Sequence, residues 1–270
     1  MPYATNVLWF PPEKLPHTDR NIYLAIDYPS LPRLNLPGLL FIGVAMEPDA
    51  ILHTRAKFLK IHQNYDMLLT HDEELLTQCP NARLFLYGTT LIPAHIYEST
   101  DITRKKNNIS CLTGSKDMTP AHAYRKFLYS NQLRIPFPIT WFRSSAGKPM
   151  PVYGDNPMVH EDKSVIFLDY QFSIAIENSR QKYYFTEKLL DCLVTKTIPI
   201  YYGCSNIADY FDTRGWILLE TLDVDEFVYK VHNFLPKYED CADTIEHNYR
   251  EALKYADLGT NIHRAINLGA

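Results

Sequence analysis

Apolar and polar residues alternate along this chain in blocks rather than in single steps. After the turn residues Pro37-Gly38 comes the run Leu39-Leu40-Phe41-Ile42-Gly43-Val44, short and unbroken, as a strand buried on both faces requires. Helical spacing follows over about 51–62, then a second strand over 65–70, a short helix over 72–78, and a third buried strand over 82–87 closed by Gly88. Strand, helix, strand, helix, strand predicts a parallel α/β layer. Ahead of it, prolines at 2, 11, 12, 16, 29, 32 and 37 predict extended backbone broken by turns, with 21–26 as a possible strand.

A polar stretch, 98–108, separates this layer from a second alternating series. Strands are expected at 109–113 and 140–143, with a helix at 121–131 and a Pro- and Gly-containing loop running to about Pro157. Residues 172–176 and 198–202 bracket a helix at about 185–195, a compact βαβ unit. A last strand at 216–219 leads to two helices, at about 225–234 and 237–255. The pattern predicts an α/β fold of two Rossmann-like halves facing a cleft, divided as residues 1–105 and 106–270.

Composition narrows the class. The 270 residues are 46% hydrophobic, enough for one large core or two small ones, and the formal net charge of -4 argues against a nucleic-acid surface. The one basic cluster singled out, Arg104-Lys105-Lys106, is expected to be a solvated loop. Five cysteines without a CxxC pair read as reduced thiols, and Cys192 and Cys204 as packed rather than nucleophilic. The longest apolar run, 39–46, falls far short of the ~20 residues a membrane span needs. With no charged leader at the N-terminus, a cytoplasmic protein without a membrane span is expected. Ten histidines show no HxH or HExxH spacing, and no GxGxxG or Walker A loop appears, so zinc, nicotinamide and ATP chemistry lack support. Nineteen tyrosines suit sugar handling and equally suit an ordinary core.

The informative stretch is Phe172-Ser173-Ile174-Ala175-Ile176-Glu177-Asn178-Ser179, then Tyr184-Phe185-Thr186-Glu187-Lys188-Leu189-Leu190, then Ile198-Pro199-Ile200-Tyr201-Tyr202-Gly203. A buried strand ends in polar residues, the chain turns, and a helix starts near Thr186. Ligands of open α/β sheets sit at such strand ends, where a helix N-terminus offers free N–H groups. Thr186 is a natural N-cap and Glu187 suits the first turn. Lys188 does not: its charge opposes the helix dipole unless an anion lies between them, or unless it points to water. Both readings stay open on the residues alone.

These three runs resemble the donor-binding motif of the α1,3-fucosyltransferases, with Ile176 where that family prefers Phe. Upstream, Ser110-Cys111-Leu112-Thr113-Gly114-Ser115-Lys116 with Arg125 resembles the family's strand, turn and helix. The resemblance implies a GT-B fold and a nucleotide-sugar donor, by default GDP-fucose, with a glycan acceptor. It implies that Arg125 and Lys188 neutralise the leaving diphosphate, so that no metal or other cofactor is needed. Glu187 would hydrogen-bond the donor sugar, and Glu177, Asn178, Ser179, Tyr184 and Thr186 would line the nucleotide and sugar pocket. Arg143 to Lys148 is a poor counterpart of the family's Gly- and Arg-containing loop, which leaves UDP-xylose or a similar donor as an alternative.

An inverting transfer needs a general base near the acceptor hydroxyl. Glu47, after the buried strand 39–44, is the candidate, and Asp49 the second choice. The plainer alternative is that 46–49 merely caps the following helix. Asp223-Val224-Asp225 has the D-x-D form of metal-dependent transferases, but Asp223 with Glu226 reads as a capping box. A catalytically silent carbohydrate-binding module is the rival from another class. Lys188→Ala is expected to abolish turnover while leaving the fold intact.

Overall fold

The computed structural model describes residues 21–27, 29, 37–114, 116–144, 158–159 and 163–267. The proline-rich start up to residue 20, and residues 145–148 of the loop compared above, lie outside them. Strands β1 (Asn21–Ile26), β2 (Leu39–Ala45), β3 (Met67–Thr70) and β4 (Ala82–Leu84) form one sheet in the order β1-β2-β3-β4. Every pair in it is parallel. Alternate residues of the unbroken apolar runs face opposite sides, as the period of two demands. Phe41 and Leu68 pack with Phe58 and Leu75 on one face, while Ile42, Val44 and Leu69 serve the other.

The helix expected over 51–62 is two: α1 (Asp49–Leu52) and α2 (Arg55–Ile61). His53 turns left-handed at φ 52°, and the Asp49 carboxylate accepts from the Arg55 backbone N–H at 2.8 Å to start the helix again. The next helix, α3 (Glu73–Gln78), is capped by Asp72, which accepts from the N–H groups of Glu74 and Leu75. A short helix, α4 (Ala94–Tyr97), lies in the connection to the second sheet.

That sheet holds β5 (Lys106–Thr113), β6 (Ile139–Ser144), β7 (Met158–Val159), β8 (Tyr170–Ile176), β9 (Ile198–Tyr202) and β10 (Ile217–Leu218). Their order is β10-β9-β8-β5-β6-β7, again parallel. The chain steps outward from β5 and then returns to lay β8 on the other side of β5. This reversal is a topological switch point, where the loops leaving two neighbouring strands part and open a crevice. Four helices accompany the sheet: α5 (Pro120–Ser130), α6 (Glu187–Val194), α7 (Val224–Phe234) and α8 (Ala242–Leu253).

Three departures from the sequence expectations have physical causes. The chain does not stop at 255: a further helix, α9 (Leu258–Asn267), crosses back to the first sheet and seats Ile262, Ala265 and Ile266 against Ile42, Val44 and Leu69. Asn261 holds it there, donating to the carbonyls of Gly88 and Tyr255. Lys105 is not in a solvated loop but 6% exposed, its Nζ donating to the carbonyls of Phe167 (2.7 Å) and Tyr170 (3.1 Å) and to Thr197 Oγ1 (2.9 Å). Asp223 does cap α7 through the Asp225 N–H, yet Glu226 turns away to accept from Glu220 and Thr221. The capping box is therefore only half made.

Candidate active site

The cleft sits over the carboxyl ends of β5 and β8. Helix α6 begins where the sequence places it, because Thr186 is extended and its hydroxyl accepts the Lys188 N–H at 3.3 Å. Glu177, the residue after β8, then builds the turn from below. It is fully buried, and its two carboxylate oxygens accept from the Thr186 N–H at 2.8 Å and the Thr186 hydroxyl at 2.7 Å. Gly203, ending β9, leaves room for it: a Cβ there would stand 2.4 Å from Glu177 Cγ. Glu177 thus supports the wall rather than lining the cavity, contrary to its expected place, and Ser179 does not line it either.

Lys188 folds back over this turn. Its Nζ lies 3.2 Å from Glu187 Oε1, 3.6 Å from Glu177 Oε2 and 3.2 Å from Thr186 Oγ1. Burial alone would lower the lysine's pKa, but the Glu187 and Glu177 carboxylates outweigh it and raise it. In return, burial would raise Glu187, while Lys188 and Lys163 bring it down to about 2. Lys163 approaches Glu187 Oε1 at 4.0 Å. Burial pushes the Glu177 carboxyl up. The cation in the first turn is therefore held over the helix N-terminus by carboxylates and does not point freely to water.

Arg125 spans the switch point. It rises from α5, which follows β5, and its Nη1 donates at 2.7 Å to the carbonyl of Ile176 at the end of β8. Arg125 also lines the cavity, of about 350 Å³, that Asn178, Tyr184, Thr186, Glu187 and Lys188 line. The opposite wall comes from the first sheet's side, through Glu47, Tyr87, Thr89 and Leu91. Glu47 follows β2, and its backbone N–H, with that of Met46, is held by the Asp27 carboxylate. Helix α1 begins at Asp49 without any side-chain cap, so Glu47 caps nothing. Burial raises its pKa, as does the charge of Asp27. Asp49, the second choice, is committed to the Arg55 N–H.

Glu47 and Asn178, which both line this cavity, each carry a buried side-chain oxygen, Glu47 Oε2 and Asn178 Oδ1, without a hydrogen-bond partner among the described residues. Buried polar atoms are nearly always satisfied, so two orphans on residues of one cavity make it a candidate ligand site. Asp223 and Asp225 are engaged elsewhere, in the α7 cap and in an ion pair with Arg134. Among the described residues, no three His, Cys, Asp or Glu side chains gather as a metal site would require. All five cysteines are free and buried.

Residues 103–240, just over half of the chain, match the model of glycosyltransferase family 10 (fucosyltransferase), C-terminal part. This chain belongs to glycosyltransferase family 10. A curated relative, the α-(1,3)-fucosyltransferase FucT of Helicobacter pylori, is 26% identical over 98 residues, which are 36% of this chain and 18% of that protein. The match thus spans under a fifth of the relative's length. Among solved structures, TarM superposes over 92% of this chain and 54% of its own with a TM-score of 0.60 at 11% identity. The trehalose-6-phosphate synthase OtsA covers 92% and 72% with a TM-score of 0.58 at 10% identity. At such identities the likeness speaks to the fold, which is GT-B.

The family 10 match encloses Arg125 and the residues Glu177 to Lys188 and leaves Glu47 outside it. Sequence reasoning missed several residues that line the same cavity. Asp191 lies one turn beyond Glu187 on α6, and it accepts from the Thr90 hydroxyl at 2.7 Å and the Leu91 N–H at 2.8 Å. Burial raises its pKa to about 7. Its i,i+4 spacing from Glu187 was the available signal. Lys163 and His122 carried no local signal and reach the cavity only through the sheet order, while Lys116, the last residue of the upstream motif, lines it too. No helix among the described residues is long and apolar enough to cross a membrane.

Proposed function

We propose that this chain is an inverting glycosyltransferase that takes a sugar from a nucleotide-diphosphate donor, GDP-fucose by default, to a glycan hydroxyl without a metal ion. The observation that carries the reading is the facing of Arg125 and Lys188 against Glu47 across one cavity at the switch point. Glu47 takes the proton of the acceptor hydroxyl, whose oxygen attacks the anomeric carbon from its side of the cleft. The bond from that carbon to the diphosphate breaks, and the electron pair leaves with the phosphate oxygen. Arg125 and Lys188, already fixed by Ile176, Glu187 and Glu177, meet that charge with no reorganisation, which is how preorganised cations lower a barrier. Glu187, held ionised, accepts hydrogen bonds from the donor sugar's hydroxyls. Family membership supports the reaction class.

The test is thermal shift with GDP, UDP, GDP-fucose, GDP-mannose, UDP-xylose and UDP-glucose, each with and without Mn²⁺. A ligand at about a hundred times its dissociation constant adds roughly 2.7 kcal/mol of stability. Stabilisation by GDP and GDP-fucose without Mn²⁺ is the expected result. Stabilisation by UDP compounds alone replaces the donor, a requirement for Mn²⁺ removes the metal-free mechanism, and a flat panel removes the donor reading altogether.

A further inference from the structure

We infer that His122 is an additional ligand of the donor's diphosphate, and that its imidazole takes up a proton as the anion arrives. The inference rests on the diphosphate-donor reading above and adds a residue that neither the motif nor the resemblance singles out. His122 stands in the first turn of α5, three residues before Arg125, so both side chains leave the helix on one face. It is 3% exposed and lines the cavity that holds Arg125 and Lys188. Thr119, the N-cap of α5, accepts the His122 backbone N–H and lies 3.0 Å from the ring's Nδ1. That contact fixes the ring and leaves Nε2, which has no partner among the described residues, for whatever the cavity contains. The Thr119 hydroxyl can donate to Nδ1 or accept from it, so the same contact serves the neutral and the charged imidazole.

The surroundings choose the ligand's chemistry. The charged groups acting on His122 are Arg125 on its own helix, Lys116 and Asp117 in the loop before it, and Lys188 on α6. Three of the four are cations, and the positive end of the α5 dipole adds to them. Burial, and then those cations, hold the imidazole neutral down to about pH 4 in the free protein. A neutral histidine surrounded by cations is a reserve of positive charge. An entering diphosphate cancels the opposing field and favours the imidazolium, which then donates through Nε2 to a phosphate oxygen. A nucleobase or a sugar, being uncharged, does neither. Because the bound state raises the imidazole pKa, binding tightens as pH falls, and the gain disappears as pH rises past the bound-state value.

Calorimetric titration of the full chain tests this, with GDP-fucose and with inorganic pyrophosphate as separate probes. GDP-fucose is a diphosphate diester with no group of its own titrating between about pH 5 and pH 8. The expected result is tighter GDP-fucose binding by wild type at about pH 6 than at about pH 8, with net proton uptake seen in buffers of different ionisation heat. His122→Ala is expected to weaken both probes roughly tenfold and to abolish the uptake. Affinity that is independent of pH, with no proton uptake, overturns the inference without needing any variant. So does a variant that weakens GDP-fucose but binds pyrophosphate like wild type, since the contact is then to the nucleoside. Wild type that binds pyrophosphate but not GDP-fucose refutes the donor assignment and leaves His122 to be read on pyrophosphate. Binding of neither probe removes both readings.

Discussion

At the scale of single residues, the site is a contest between burial and charge, and Lys188 decides it. The lysine sits among two carboxylates and a helix N-terminus, so removing it does more than remove the proposed diphosphate contact. Lys188→Ala leaves Glu177, fully buried, beside Glu187 with no cation between them. Breaking such a buried pair costs about 3 kcal/mol. Lys188→Ala is therefore expected to lose stability as well as turnover, and urea unfolding at about pH 7 should show that loss. The gap should narrow towards pH 4, as the stranded carboxyls take up protons. In wild type the sign is fixed by Glu187. Its folded pKa, near 2, lies below the ordinary 4.5, so its contribution is complete above about 4.5 and is lost as pH falls towards 2. Glu47 behaves oppositely. Burial and Asp27 favour its neutral form, so Glu47→Gln should keep or raise the melting temperature while lowering turnover by about 10²- to 10⁴-fold. Turnover of wild type should fall as pH drops through the raised Glu47 value, and a flat pH profile would remove Glu47 as the base.

At the scale of elements, the turn from β8 into α6 shows how local rules assemble the site. Thr186 serves two masters, capping α6 and satisfying Glu177, and Thr186→Ala should cost about 1–2 kcal/mol in melting experiments. Thr186→Ser, which keeps the hydroxyl, should restore most of it. Gly203→Ala brings a methyl against Glu177 and the Tyr201 hydroxyl and should destabilise by about 1–3 kcal/mol, with turnover falling alongside. This turn was legible in the sequence because its signals are local: an N-cap, a buried apolar run and a glycine at fixed offsets. The break at His53 was not legible, since a left-handed residue without Gly or Asn leaves no mark on the pattern. Lys105 was misread for a similar reason. Its three acceptors come from the segment 167–170 and from Thr197, far along the chain, and a basic triplet looks solvated until they arrive.

At the scale of the whole molecule, the parallel layers could be read from alternation, while the strand order could not. The switch point between β5 and β8 brings Arg125 to Ile176, Glu47 from the other sheet's side lines the same cavity, and no spacing in the sequence encodes that meeting. Helix α9 escaped notice because it is short and mixes Gly259, Asn261 and His263 with its apolar residues. Its contribution is nonetheless large. Ile262→Ala should cost about 3 kcal/mol through the cavity left against β2 and β3, and the loss should appear as a lower melting temperature.

That return crossing also decides how the molecule bears a load. The segment 89–90 meets Ala256 through the Thr90 N–H and the Thr89 hydroxyl, so both connections between the sheets pass side by side. The second sheet is spliced into the first as an insert, with β1 and α9 on the outer ends of the path. Tension applied between handles near Ile22 and Asn267 therefore runs through β1, β2 and α9 before any of it reaches β5 or β8. The insert is slack until α9 shears away, and a single-molecule pull should show a small first rip, the length of the outer layer, before the large one.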